Sequence, residues 1–212
     1  MTSIKQFIFN PFMVNTYLLY DESKEAVAID CGCFFQQEKN DLSAFIEDNN
    51  LHLKRLLSTH YHFDHVIGNA FILERYHIRP EMHRDEFNKA FTLDVQLKKF
   101  GMSKFIEDVE PAKFIEDNEE IRFGHTVLKA LLVPGHSPGS LAFYNETDAF
   151  VIVGDVLFQG GIGRTDLWGG NYHTLINSIQ NKLFPLPDRT AVYPGHGPST
   201  TILDEKTDNP FL

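Results

Sequence analysis

The chain has 212 residues, 42% of them hydrophobic and 13% aromatic, and a formal net charge of −10. That composition excludes intrinsic disorder, and the acidic excess argues against nucleic acid as a partner, since phosphates are held by Lys and Arg. No apolar run is long enough to cross a bilayer, and residues 1–9 lack the basic, apolar, small-residue order of a signal peptide, so a cytoplasmic setting with no membrane partner is expected.

Short β-branched or aromatic runs predict strands at 4–9, 14–20 and 26–30. A helix is expected over 37–49, with Leu42, Phe45 and Ile46 on one face, and a strand over 54–57. Asp64 is expected to open a helix that runs to about residue 76, with Val66, Ala70 and Leu73 at helical spacing. Its carboxylate suits that start, because it can accept from free backbone N–H groups. A further helix is predicted over 85–100. Strands follow at 120–123, 126–133, 140–144, 149–153 and 190–193, the last preceded by a helix over 172–183. Elements mixed in this order imply an α/β or α+β sandwich with both sheet faces covered. No Pro- or Gly-rich linker interrupts the chain, so 1–212 reads as a single domain.

Two minor features carry little. Phe-Ile-Glu-Asp recurs at 45–48, 105–108 and 114–117, at unequal spacing, which does not make a structural repeat. Cys31 and Cys33 are neither a disulfide framework nor a complete structural zinc site, and are expected to be free thiols in a reducing compartment.

Four apolar runs end abruptly in a potential metal ligand: Arg55-Leu-Leu-Ser-Thr-His60, Leu131-Leu-Val-Pro-Gly-His136, Val151-Ile-Val-Gly-Asp155 and Ala191-Val-Tyr-Pro-Gly-His196. Sites on α/β sheets gather at strand ends, where loops converge. The densest stretch is Thr59-His60-Tyr61-His62-Phe63-Asp64-His65. In extended chain His60 and His62 point the same way, and Asp64 and His65 can face the same cavity. Imidazole with carboxylate suits zinc, iron or manganese. Three histidines and an aspartate so close together, buried without a cation, would be costly.

His60-x-His62-x-Asp64-His65, followed by His136, Asp155 and His196, resembles the signature of the metallo-β-lactamase superfamily. The resemblance spans nearly the whole chain and implies a four-layer αβ/βα sandwich with the site at one edge. It implies two divalent metal ions, with zinc expected and iron or manganese as alternatives. One would sit on His60, His62 and His136, the other on Asp64, His65 and His196, with Asp155 bridging them. The stretch from Gly154 to Asp166 and the ending Tyr193-Pro-Gly-His-Gly are most similar to short bacterial glyoxalase II-like (hydroxyacylglutathione hydrolase-like) proteins.

That branch implies a binuclear thioester hydrolase: hydroxide bridging the metals attacks the carbonyl of a hydroxyacylglutathione-type substrate, and Asp64 has a further possible role in orienting the water. Substrate contacts are expected at Phe158 and Arg164, although Arg164 can equally pair with Asp166. The sequence departs from the larger glyoxalase II enzymes in several places. Arg164 stands where they carry a glutathione-binding Lys, Asp166 and Pro198 stand where they carry Tyr, and their C-terminal helical domain is expected to be absent. Two alternatives share the motif: a persulfide dioxygenase with one iron on His60, His136 and Asp155, and a lactonase or other ester hydrolase. The expected partner is a small-molecule thioester, and the expected assembly a monomer or small homo-oligomer.

Overall fold

The computed structural model describes residues 1–87, 91–101 and 106–212. β1 (Ser3–Phe9), β2 (Val14–Tyr20), β3 (Glu25–Ile29), β4 (His52–Leu57), β5 (Pro80–Met82) and β6 (Lys113–Phe114) form one six-stranded sheet in that spatial order. Next along the chain come β7 (Glu120–Phe123), β8 (Thr126–Leu132), β9 (Leu141–Asn145) and β10 (Phe150–Gly154). A small ribbon of β11 (Leu157–Phe158) and β12 (Gly161–Ile162) precedes β13 (Ala191–Pro194) and β14 (Thr200–Thr201). The second six-stranded sheet runs β14-β13-β10-β9-β8-β7. The helices are α1 (Gln36–Asp48), α2 (Phe63–Val66), α3 (Asn69–Tyr76), α4 (Leu93–Lys99), α5 (Tyr172–Ser178) and α6 (Ile202–Asp208).

Side chains alternate across a strand, and here both faces of the central strands are apolar. In β3, Val27 and Ile29 point to the core between the sheets, while Ala26 and Ala28 face Leu42 and Ile46 of α1 and Ile72 of α3. In β10, Phe150 and Ile152 face the first sheet, while Val151 and Val153 face Leu175 of α5 and Ile202 of α6. The layers therefore run helix, sheet, sheet, helix, which is the expected four-layer αβ/βα sandwich. Each fully buried Ile or Phe of the central core contributes roughly 1.5–3 kcal/mol on leaving water.

The parallel pairs set where the site forms. β3 pairs with β4, and β10 with β13, in parallel, so each pair ends its two strands at the same edge. A bridge between Val14 and His196 and the hydrogen bond from Asn15 N to Gly195 O (2.7 Å) stitch the two sheets together there.

Most expected elements lie within a residue or two of their predicted bounds. The differences have local causes. The helix expected from Asp64 to 76 is two helices, because Gly68 interrupts it where the chain presses on the Cys-Gly-Cys turn. A Cβ on Gly68 would lie 2.7 Å from Cys31 O and 2.8 Å from both thiol sulfurs. Asp64 is not the cap of α2: that position is His62. The carboxylate is instead turned toward histidines. Of the helix expected over 85–100, residues 88–90 lie outside the described residues, Arg84–Glu86 form a single 3₁₀ turn, and α4 begins only at Leu93. The copy of Phe-Ile-Glu-Asp that starts at 105 also begins outside the described residues. The helix over 172–183 continues α5 into a π-helical turn, Ile179–Leu183. Strands β5, β6 and β14 and helix α6 are too short to show a period. Cys31 and Cys33 are buried free thiols with sulfurs 3.5 Å apart. No helix among the described residues is long and apolar enough to cross a membrane.

Candidate metal centre

The segment after β4 is held extended by buried acceptors rather than by a sheet. Thr59 N donates to Asp30 Oδ1 (2.7 Å), Tyr61 N to Glu86 Oε2 (2.7 Å) and Phe63 N to Gln96 Oε1 (2.9 Å). With alternate residues tied down this way, His60 and His62 project together to the opposite side. His136 reaches them from the loop after β8: its Nε2 lies 3.3 Å from His60 Nε2 and 2.9 Å from His62 Nδ1. Glu86 also joins the two ligand loops, since Oε1 accepts from Ser137 Oγ and Gly139 N, each at 2.6 Å.

A second group forms beside the first. Asp64 Oδ2 lies 3.7 Å from His65 Nε2 and 3.3 Å from His196 Nε2. Asp155 stands between the groups, 3.4 Å from His65, 3.6 Å from His196 and 3.8 Å from His136. It follows β10 directly, and the neighbouring β13 loop crosses it so closely that only glycine fits at 195. A Cβ there would sit 2.2 Å from Asp155 Oδ1.

The outward ring nitrogens are fixed. His65 Nδ1 donates to Asp30 Oδ2 (3.0 Å). Thr59 Oγ1 gives its proton to that same oxygen (2.6 Å) and so accepts from His60 Nδ1 (3.0 Å). His136 Nδ1 donates to the carbonyl of Arg164 (2.8 Å) and His196 Nδ1 to that of Met13 (3.3 Å). In the neutral ring, a proton on Nδ1 leaves Nε2 as a lone pair facing inward, the usual way a ligand histidine is oriented.

Burial, then the neighbouring imidazoles, push His60 well below the usual histidine range, and burial takes His62 down to about 3. Burial also lowers His136, against the pull of Asp155. These three rings are neutral lone-pair donors. Burial works against the cationic form of His65 too, but Asp155, Asp64 and Asp30 outweigh it and hold its pKa well above the usual value. Asp155 is depressed far below the carboxylate range despite its burial, chiefly by His65.

This donor set fits cations. The lone pairs of His60 Nε2 and His136 Nε2 face each other, an arrangement that neutral rings do not hold without a positive charge between them. His65 Nε2 and Asp155 Oδ1, which face each other across 3.4 Å, are buried without hydrogen-bond partners among the described residues. Within single groups, His60, His62 and His136 have donor atoms all within 4.8 Å of one another, as do Asp64, His65 and His196.

All seven residues picked out by sequence thus converge. Arg164 lines the cavity above them but pairs with Asp166 through two 2.7 Å bonds. Phe158 lies in the β11–β12 ribbon and is not among the residues lining that cavity. Sequence reasoning missed Asp30 and Thr59, which orient His60 and His65. Asp30 carried a readable signal, since it ends an apolar strand just as Asp155 does. Glu86 carried none.

Comparison with known proteins gives a consistent picture. A family model described as the metallo-beta-lactamase superfamily matches residues 9–196. The "Probable metallo-hydrolase YqgX" of Bacillus subtilis is 41% identical, and "Hydroxyacylglutathione hydrolase GloC" of Haemophilus influenzae 39% identical. Both alignments cover 95% of this chain and 93% of the relative. Among solved structures, BLEG-1 B3 metallo-beta-lactamase has a TM-score of 0.88 at 35% identity, with 99% of each chain covered. TTHA1623 in a di-iron-bound form has a TM-score of 0.86 at 32% identity, covering 98% of this chain and all of that one (100%). ETHE1 from Myxococcus xanthus has a TM-score of 0.80 at 29% identity, covering 98% of this chain and 83% of that one.

Proposed function

The chain belongs to the metallo-beta-lactamase superfamily and is a metallo-hydrolase of that family, and from that premise we propose that it cleaves a thioester of the hydroxyacylglutathione type. His60, His62 and His136 would hold one divalent cation, and Asp64, His65 and His196 a second, with Asp155 shared. The observation that carries the binuclear reading is the place of Asp155, within 3.8 Å of a histidine of one group and of both histidines of the other. The name of the 39% identical GloC supports the substrate class. Zinc is the metal we expect. The di-iron form of TTHA1623 keeps iron open, and manganese also suits the donors.

Bound cations of this kind supply hydroxide at neutral pH and polarise a carbonyl oxygen. The protein's part is to hold the seven donors in register, through Asp30, Thr59 and Glu86, and to orient the attacking water from Asp64. In the net reaction a C–O bond forms at the carbonyl carbon and the C–S bond breaks, leaving a carboxylate and a thiol. A simple thiol has a pKa of about 8.5, so its thiolate leaves without a dedicated acid, and none of the cavity's other side chains need supply one. The substrate is a small molecule, with no nucleic acid or membrane required, and we place the reaction in the cytoplasm.

One specific observation favours a second reading. The likeness to ETHE1 fits a persulfide dioxygenase with one iron on His60, His136 and Asp155, and an ester or lactone hydrolase would use the same residues. Counting metals per chain and then measuring thiol release from a thioester against oxygen uptake with a persulfide separates them. Two metals with thiol release are expected. One iron with oxygen uptake, or two metals without thioester cleavage, would overturn the proposal.

A further inference from the structure

The cavity over the candidate ligands has a volume of about 300 Å³, and its walls are aromatic. On one side Phe12, Phe63 and Phe100 pack together, with ring centroids 4.8 Å apart for Phe12 and Phe63 and 5.0 Å for Phe63 and Phe100. On the other, Phe91 and Trp168 stack at 4.8 Å with 22° between their planes. Phe12 and Phe100 are 37% and 47% exposed, and apolar rings grouped and left open at a cavity mark a place where something apolar binds. The aromatic wall begins beside the ligands themselves, since the Phe91 ring lies 6.4 Å from that of His62.

The polar lining outside the ligand set is largely committed. The amide of Gln96 accepts from Phe63 N and donates to the carbonyls of Tyr61 and Phe91. Arg164 and Asp166 neutralise each other. Lys99 makes no ion pair among the described residues, and its ammonium lies 5.6 Å from the centre of the Phe91 ring.

We propose that the cavity recognises a flat apolar group, such as an aryl ring, on the acyl side of the reacting carbonyl, and that Lys99 rather than Arg164 meets a carboxylate on the same molecule. This deepens the thioester reading and rests on it for the identity of the scissile bond. The recognition itself is tested without hydrolysis. Trp168 is the chain's one tryptophan, so its fluorescence reports entry into the cavity.

The probe is 3-(phenacylthio)propanoate, a thioether that cannot be hydrolysed, titrated into the metal-loaded protein alongside its acetonyl counterpart and its own methyl ester. The phenacyl acid should bind about tenfold more tightly than the acetonyl acid, because its ring buries more apolar area and stacks on the aromatic walls. Lys99→Met should raise the Kd of the phenacyl acid about two- to fivefold, as suits an exposed ion pair, and leave that of the ester unchanged. Equal affinity for the phenacyl and acetonyl acids overturns the aromatic assignment. A larger loss on Arg164→Met than on Lys99→Met overturns the anion contact. In parallel, benzoyl and acetyl thioesters of 3-mercaptopropionate are assayed for thiol release. A phenacyl preference with no release of thiol supports the cavity's selectivity and sinks the thioester reading instead.

Discussion

At the scale of single residues, the site depends on groups that touch no substrate. Asp30 accepts from His65 Nδ1 and from both the amide and hydroxyl of Thr59, which in turn accepts from His60 Nδ1. One carboxylate thus sets the tautomer of a histidine in each group. In Asp30→Asn an amide NH₂ facing either donor repels it, and the negative charge that strengthens His65 as a donor is lost. Affinity for metal should fall about 10- to 100-fold, measured by competition with a chromophoric chelator, while the urea midpoint of the metal-free protein shifts far less. An unchanged affinity would mean that Asp30 is only a strand terminator.

At the scale of elements, two junctions decide how the layers meet. The first is the break between α2 and α3. Gly68 N donates to Cys31 O (2.9 Å), and the missing side chain lets the helix start rest on the Cys31–Cys33 turn. Gly68→Ala forces backbone and two buried sulfurs apart, so it should destabilise by about 1–3 kcal/mol. A urea melt within about 0.3 kcal/mol of the parent, on the order of surface-mutation noise, would contradict this.

The second junction is Asp21, in the β2–β3 turn. It accepts from Ser23 N (2.9 Å), from His125 N (2.7 Å) in the β7–β8 turn and from Thr126 Oγ1 (2.9 Å), so it ties one sheet to the other. Burial pushes its pKa up, but these hydrogen bonds outweigh that and take it from 3.8 down to about 2. A depressed carboxylate stabilises the fold above its ordinary pKa, and that contribution is lost as pH falls from about 4 to about 2. We expect it to be on the order of 1 kcal/mol after solvent screening. The stability gap between the parent and Asp21→Asn, read from urea melts, should therefore be wider at about pH 5 than at about pH 2.5. A gap independent of pH would remove the role of the charge.

At the scale of the whole molecule, the ligands come from both sheets: His60, His62, Asp64 and His65 follow β4 of one, and His136, Asp155 and His196 follow β8, β10 and β13 of the other. A cation held between them binds the folded state and not the unfolded one. At a hundred times its Kd, it adds about 2.7 kcal/mol, which for a chain of this size is roughly 5–10 °C in Tm. Removal of metal by a chelator should lower Tm by that amount, and zinc should restore it. A Tm indifferent to chelation would argue that the edge between the sheets is closed without metal.

The sequence by itself determined a sandwich with both sheet faces covered, and which side chains can bind metal. Strands such as β3, β9 and β10 are buried on both faces, which requires a layer on each side, and the seven donors sit at strand ends or just beyond them, where no packing role explains them. Short pieces were not legible. Strands of two or three residues such as β5, β6 and β14 have no period to read, and they exist because a neighbouring strand offers them unpaired backbone groups. Long-range partners were not legible either. Glu86 belongs to the site only because the fold carries Tyr61, Ser137 and Gly139 to it. Arg164 had two readings that spacing could not separate, and its pairing with Asp166 leaves the anion-binding position to Lys99. Phe158 and Trp168 are both aromatic residues that follow Asp155 in the chain, and only the path of the chain decides that Trp168 lines the cavity and Phe158 does not. Residue type and local spacing settle which groups can bind metal, because that chemistry is carried by each side chain. What the cavity admits depends on walls contributed by segments far apart in sequence, which only tertiary structure brings together.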